Sequence, residues 1–170
     1  MILCSSFAFA VHAQTNLSPF TYLISFSVKN AGVTVDGTFK GLQANLLFSP
    51  GQLETSKLSA TIDANTIHTG NNVRDNHLKS DDYFDVAKCP VISLSSVRLY
   101  RQGDGFAGLF NLSIKNISKQ LEIPFNYTEK DGLATFEAWF TIDRRDYGIG
   151  GYSLILSDHV NIHILVNPKK

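Results

Sequence analysis

TGNNVRDNHLKSDDYFDVAKCP, residues 69–90, is the one stretch in which polar side chains crowd together without alternation. Asn71 suits a helix N-cap, because its side-chain oxygen can accept a hydrogen bond from an amide of the first turn. Val73, His77 and Leu78, set among Arg74, Asp75, Lys79 and Asp82, then read as a short amphipathic helix within about residues 71–82, and Tyr83 and Phe84 pin its exit. On both sides the chain alternates apolar and polar residues. The stretch therefore reads as a helical plug, a lid or side wall, inserted into an all-β chain.

Working backward, Tyr22, Ile24, Phe26 and Val28 share one face of a strand, with Thr21, Ser25, Ser27 and Lys29 opposite and Leu23 as the exception. A turn at Asn30-Ala31-Gly32 leads to Val33, Val35 and Phe39 on one face and Thr34, Asp36, Thr38 and Lys40 on the other, an opening hairpin. Ala44, Leu46 and Phe48 run to a turn at Ser49-Pro50-Gly51, and Leu58, Ala60 and Ile62 carry the next strand. Working forward, Val91, Ile92 and Leu94 are apolar on both faces, as in a strand covered on both sides. Turns at Gln102-Gly103-Asp104-Gly105, at Asn116 and at Lys130-Asp131-Gly132 separate Leu112 and Ile114, then Leu121, Ile123, Phe125 and Tyr127, then Phe136, Ala138, Phe140 and Ile142. A loop, Gly148-Ile149-Gly150-Gly151, precedes Val160, Ile162, Ile164 and Val166. Strands joined by short turns and apolar on one face form an antiparallel meander, and closing it into a barrel buries that face and removes the edges. About eight strands give an interior that either fills with side chains or holds one small ligand.

Composition narrows the function. Fifteen basic residues balance fifteen acidic ones, so no long-range field recruits nucleic acid. Twelve Phe and six Tyr in 170 residues fit a large apolar β interior in one domain, residues 14–170. The apolar run from Ile2 to Val11, followed by Val11-His12-Ala13, predicts a signal peptide over residues 1–13 cleaved before Gln14, and hence a periplasmic or secreted protein. No other stretch is long and apolar enough to span a bilayer. Removal of Cys4 with the leader would leave Cys89 alone, and among Val86, Val91 and Ile92 it reads as a small buried hydrophobe.

Gly70-Asn71, Arg74-Asp75, His77-Leu78, Ser80 and Asp82-Tyr83-Phe84-Asp85, with Pro90 beyond, resemble the signature of the YceI-like family of exported lipid-binding proteins. The resemblance extends to Phe26-Ser27-Val28-Lys29, Gly37-Thr38-Phe39, Phe48-Ser49-Pro50, the run from Ile142 to Gly150, and Leu156, Asp158, Val160 and Ile162. It implies a lipocalin-like antiparallel barrel whose apolar cavity holds a polyisoprenoid or a fatty-acid-like amphiphile. The chain departs from the family pattern at Asn30, commonly His, at Asn116, commonly Gly, at His68, often acidic, and at Cys89, usually Tyr.

The inner face is the main functional candidate, with Tyr22, Ile24, Phe26, Val35, Phe39, Leu46, Ile62, Leu112, Phe125, Phe140 and Ile162 as expected lining. The residues alone favour interdigitation without a void; the resemblance favours a hollow interior. Arg74 and His77 share a helix face, open to two roles: meeting a phosphate or carboxylate head group, or fastening the helix through Arg74 pairing with Asp85 or Asp82. The fastening role is favoured, since charge pairs at helix–sheet junctions are commonly structural. His68, His77, His159 and His163 lack the spacing and companions of a metal site. Asn16, Asn111, Asn116 and Asn126 each begin an N-x-Ser/Thr sequon. The expectation is an exported, non-enzymatic carrier with a hydrophobic small-molecule ligand, no cofactor and no metal, a homodimer being left open. The rivals are an enzyme acting on such a lipid, with His77 and Asp75 or Asp82 as acid and base, and a structural or stress-protective module with a collapsed cavity.

Overall fold

The computed structural model describes residues 18–169, with side chains from 21 to 168. The expected leader, its cleavage point, Cys4 and Asn16 lie outside the described residues.

Eight strands close into one antiparallel barrel in sequence order. They are β1 (Ser18–Asn30), β2 (Val33–Leu47), β3 (Lys57–His68), β4 (Val91–Gln102), β5 (Gly105–Ile114), β6 (Ile117–Lys130), β7 (Leu133–Asp143) and β8 (Leu156–Lys169). A single helix, α1 (Asn72–Leu78), follows β3, and a 3-10 turn, Arg144–Tyr147, follows β7. Pairing of β1 with β8, from Ile24 on Ile164 to Val28 on Val160, makes the closure. The all-β barrel expected from the alternation is the fold observed, and the inward phase is the apolar one on every strand.

Hairpin chemistry explains the meander. Ala31 and Gly32, Lys115 and Asn116, and Asp131 and Gly132 form three pairs of consecutive residues with positive φ. Two such residues give the turn whose twist matches that of the flanking strands. These turns also define two ends. The upper end carries the β1–β2 and β5–β6 turns, the α1 segment and the loop after the 3-10 turn; the lower end carries the β2–β3, β4–β5 and β6–β7 connections.

Two apolar clusters fill the ends. The lower is aromatic: Phe48 packs at ring-centroid distances of 5.2 Å from Phe106, 5.7 Å from Phe125, 4.9 Å from Tyr127 and 5.3 Å from Phe136. The upper holds Ile24, Phe39, Ile67, Ile92, Ile114, Tyr147 and Ile149, with Leu78, Tyr83 and Phe84 of the inserted segment packed on it.

The insertion differs from expectation in detail. Asn71 caps α1 as anticipated, its side chain accepting from the Arg74 amide at 3.0 Å. The helix stops at Leu78, short of Asp82, because the returning chain takes its last carbonyls: the amide of Phe84 donates to Leu78 at 3.0 Å and that of Val86 to Lys79 at 3.2 Å. Ser80, Asp81 and Asp82 compete locally with helix hydrogen bonding and favour that ending. Val73 is exposed, so the amphipathic stripe reduces to Leu78. Val91 is also exposed, correcting the expectation of a strand covered on both faces, since α1 packs against β3 instead of β4.

One close approach shapes the wall. Gly37 pairs with Phe26 across β1 and β2, and a Cβ built on Gly37 would lie 2.2 Å from the Phe26 ring. The ring therefore lies over bare backbone. Gly37→Ala should destabilise the fold by about 1–3 kcal/mol through overpacking, and in the Phe26→Leu background the same change should cost measurably less. Chemical denaturation of the four proteins of this cycle tests it; additive losses would show that the ring and Gly37 are not in this contact.

Candidate functional site

Between the two clusters runs a cavity of about 230 Å³ with an almost wholly apolar wall. Leu156 and Val166, at opposite ends of β8, both line it. Their separation is about 33 Å of strand, or about 25 Å of barrel axis at a strand tilt of about 40°. A cavity whose wall extends over that length is an elongated apolar channel. Small inward residues, Ala44, Ala60 and Ala138, leave the room, and Ile62, Leu94, Leu112 and Phe140 line its middle length.

Of the expected lining, Ile24, Phe26, Phe39, Leu46, Ile62, Leu112, Phe125, Phe140 and Ile162 face this cavity. Tyr22 and Val35 are not among its lining residues, although their phase along the strands is the inward one. Tyr22 is 37% exposed and its hydroxyl accepts from the Gly41 amide at 3.0 Å. Val35 is half-buried near the β1–β2 turn, and its cross-strand partner Val28 lines the cavity in its place. Leu78, Tyr83, Phe84, Ile149 and Leu156 line the upper part, and Arg144 is the one basic side chain in the wall.

Arg74 and His77 are also outside the lining. His77 stands behind the cavity wall, its ring edge-on to Tyr83 at 4.9 Å, while Tyr83 itself faces the cavity. Arg74 fastens its segment as favoured, but to a different partner: Nε donates to the Thr69 hydroxyl at 2.8 Å and Nη2 to the Thr69 carbonyl at 2.7 Å. Neither Asp82 nor Asp85 takes it. The buried carboxylate is Asp75, which accepts from the Thr69 amide at 2.9 Å, from the Thr69 hydroxyl, and from His68 Nδ1 at 3.1 Å. Burial pushes Asp75 up, yet the Thr69 hydrogen bonds and the His68 contact outweigh it and hold the carboxyl below its ordinary value. Thr69 thus links Arg74 to Asp75 and fixes the entry of α1.

Arg144 does for the other half of the lid what Thr69 does here. It is 2% exposed, and its guanidinium reaches six oxygens. Nη1 donates to the carbonyls of Ile149 at 2.8 Å, Gly150 at 3.1 Å and Gly151 at 3.0 Å. Nε donates to Ser157 at 3.0 Å, and Nη2 to Leu156 at 3.4 Å and to Asp158 Oδ1 at 2.7 Å. The loop between the 3-10 turn and β8 is built around that one side chain. Its signal was present in the sequence: Arg144 continues the inward phase of Phe140 and Ile142, and Asp158 precedes that of Val160 and Ile162.

Three hydrogen bonds join the halves of the lid. The Gly150 amide donates to the Asp82 carbonyl at 2.8 Å, and Lys115 Nζ bridges the carbonyls of Asp81 at 2.8 Å and Gly148 at 3.0 Å. Two departures from the family pattern meet nearby, where the Asn116 side-chain amide donates to Cys89 Sγ at 3.1 Å. Cys89 is buried with a free thiol. His163 lies on the outer face, stacked on Trp139 and bonded to Glu137 at 2.8 Å, while His159 is exposed. Among the described residues no three His, Cys, Asp or Glu side chains converge as metal ligands would.

The family model described as the YceI-like domain matches residues 12–167. The UPF0312 protein of Yersinia pestis (strain Pestoides F) is 26% identical over 133 residues, which is 74% of this chain and 69% of the relative. A Campylobacter jejuni YCEI crystal structure superposes with a TM-score of 0.72 at 29% identity, covering 80% of this chain and 85% of that one. A polyisoprenoid binding domain from Saccharophagus degradans, implicated in plant cell wall breakdown, superposes with a TM-score of 0.72 at 14% identity, covering 91% and 97%.

Two measurements check the lid. Arg144→Met keeps the packing and removes the donors, leaving several loop carbonyls without a partner while Asp158 keeps Arg145 at 3.3 Å, so urea unfolding should show a loss on the order of 3 kcal/mol; a loss below about 1 kcal/mol would mean the loop stands without the clasp. Asp75 contributes stability above the ordinary carboxylate pKa of about 3.9, and that stability is lost as pH falls through its lower folded value. The stability gap between wild type and Asp75→Asn should therefore be constant from neutral pH to about 5 and shrink below about 4; a gap that persists unchanged in acid would contradict the assignment.

Proposed function

The chain belongs to the family of YceI-like domains, and on that premise we propose that it is an exported, non-enzymatic carrier of one long-chain amphiphile, a polyisoprenoid or fatty-acid-like molecule, held lengthwise in the barrel. The observation that carries this is the channel itself: apolar side chains on all eight strands surround a void that runs between the two end clusters. The polyisoprenoid-binding description of the Saccharophagus degradans neighbour supports the ligand class. The channel's elongated apolar wall suits a long hydrocarbon chain laid along it.

An enzyme on the same lipid needs an acid and a base that reach the cavity. His77, Asp75 and Asp82 are outside its lining, and Asp75 is engaged by Thr69 and His68. The carrier reading needs no such pair. It needs area: each buried CH₂ contributes about 0.8 kcal/mol.

That increment is the test. Across a homologous series of saturated fatty acids, affinity should rise about fourfold per added CH₂, then level off once the channel is full. Ala138→Phe, which adds a ring to the cavity wall, should move the plateau to shorter chains with little change in melting temperature. Native mass spectrometry of the purified protein should show the adduct, recovered unchanged on solvent extraction. Affinity independent of chain length would refute the carrier reading, and recovery of a chemically altered lipid would favour the enzyme.

A further inference from the structure

The upper end exposes apolar side chains that the barrel's own packing does not use. Leu154 is 88% exposed, Tyr152 76%, Val33 65% and Ile155 62%. Single exposed apolar residues are ordinary on any surface. Here three of them fall within four positions at the tip of one loop, and the Ala31 amide, donating to the Ile155 carbonyl at 2.8 Å, brings the β1–β2 turn with Val33 alongside.

The tip is built to stay out. Arg144 holds carbonyls on both of its flanks, Gly151 before it and Leu156 after it. The Ser153 hydroxyl accepts from the amides of Ile155 at 3.2 Å and Leu156 at 3.0 Å, which fixes the bend. The side chains between are therefore presented on a rigid base and do not fold back over the lid. Leu156, the next residue, lines the cavity. The exposed strip is thus continuous with the cavity wall, at the end that carries the hydrogen-bonded lid.

That continuity identifies the occupant. A surface that touches the tip also touches the route into the channel, and the surface that stores long-chain amphiphiles is a lipid bilayer. The Tyr152 ring and Arg145, whose guanidinium carbon is 6.0 Å from the ring centroid, suit the headgroup level, where amphipathic rings and basic side chains settle. Leu154 and Ile155 suit the acyl boundary below it.

We propose that the Tyr152–Ile155 tip docks the protein on a phospholipid bilayer, so that the amphiphile passes between bilayer and cavity without crossing water. Both the choice of a bilayer as occupant and the passage rest on the carrier reading, while vesicle binding is read without cargo.

The full chain and the variant Leu154→Ser/Ile155→Ser are compared in sedimentation with phosphatidylcholine vesicles, without cargo. Both residues are exposed, so melting temperatures should agree, while the partition coefficient of the variant should fall at least tenfold. Absence of wild-type association, equal partition of both proteins, or a dimer that the variant dissociates in place of vesicle binding would overturn docking. In a second measurement a fluorescent long-chain fatty acid is transferred from protein to the same vesicles. The wild-type rate should climb with vesicle concentration and the variant rate should be about tenfold lower; a rate insensitive to vesicle concentration would overturn transfer on contact. Vesicle binding without uptake of the fatty acid would refute the carrier reading and leave docking standing; uptake without vesicle binding would do the reverse.

Discussion

Closure of the sheet is the constraint from which the rest follows. Once β1 pairs with β8, every strand has two neighbours and one inner face, and a slip of one residue anywhere would turn that strand's apolar set outward. The inner face must then be apolar along its length, but it need not be full. An eight-stranded interior is only just wide enough to fill with side chains, and here the bulk is unevenly spent. Phe48, Phe106, Phe125, Tyr127 and Phe136 crowd the lower end, while Ala44, Ala60 and Ala138 point inward above them. The void is what that distribution leaves.

The two ends close by different physics. Below, rings pack on rings, an arrangement with no single bond to break and a large apolar area to expose on opening. Above, two segments far apart in sequence form the lid, each fixed internally by its own polar centre, Asp75 with Thr69 in one and Arg144 in the other. The seam between them rests on the Gly150–Asp82 hydrogen bond, the Lys115 bridge and the packing of Tyr83 against Gly150.

Much of this was legible from period-two alternation. It placed the strands, the turns and the inward phase, and nine of the expected wall residues face the cavity. Phase alone, however, does not say which inward side chains reach the void: Tyr22 and Val35 share face and register with Val166 and Val28, which line it, yet do not line it themselves. The helix was legible from Asn71, but its end was not, because the carbonyls of Leu78 and Lys79 are taken by amides that reach back from beyond a turn. Arg74 was expected to meet a carboxylate and instead meets Thr69, whose hydroxyl serves it and Asp75 together; no spacing rule encodes a three-residue relay. The void was the least legible feature, since packed and hollow barrels demand the same alternation.

On the proposed carrier reading, the orientation of an amphiphile in such a channel is decided by desolvation. Burying a polar head without a partner costs roughly 2–7 kcal/mol, and the lower cluster has nothing to offer it: its side chains are aliphatic or aromatic, and the Tyr127 hydroxyl is already donated to Glu129 at 2.8 Å. Arg144 is no anchor either, for its donors are committed to the lid's carbonyls and Asp158. A tail that enters first therefore runs down to the Phe48 rings and leaves its head at the lid, where water and main-chain groups remain within reach. Selection then acts on the length and width of the tail, and little on the chemistry of the head.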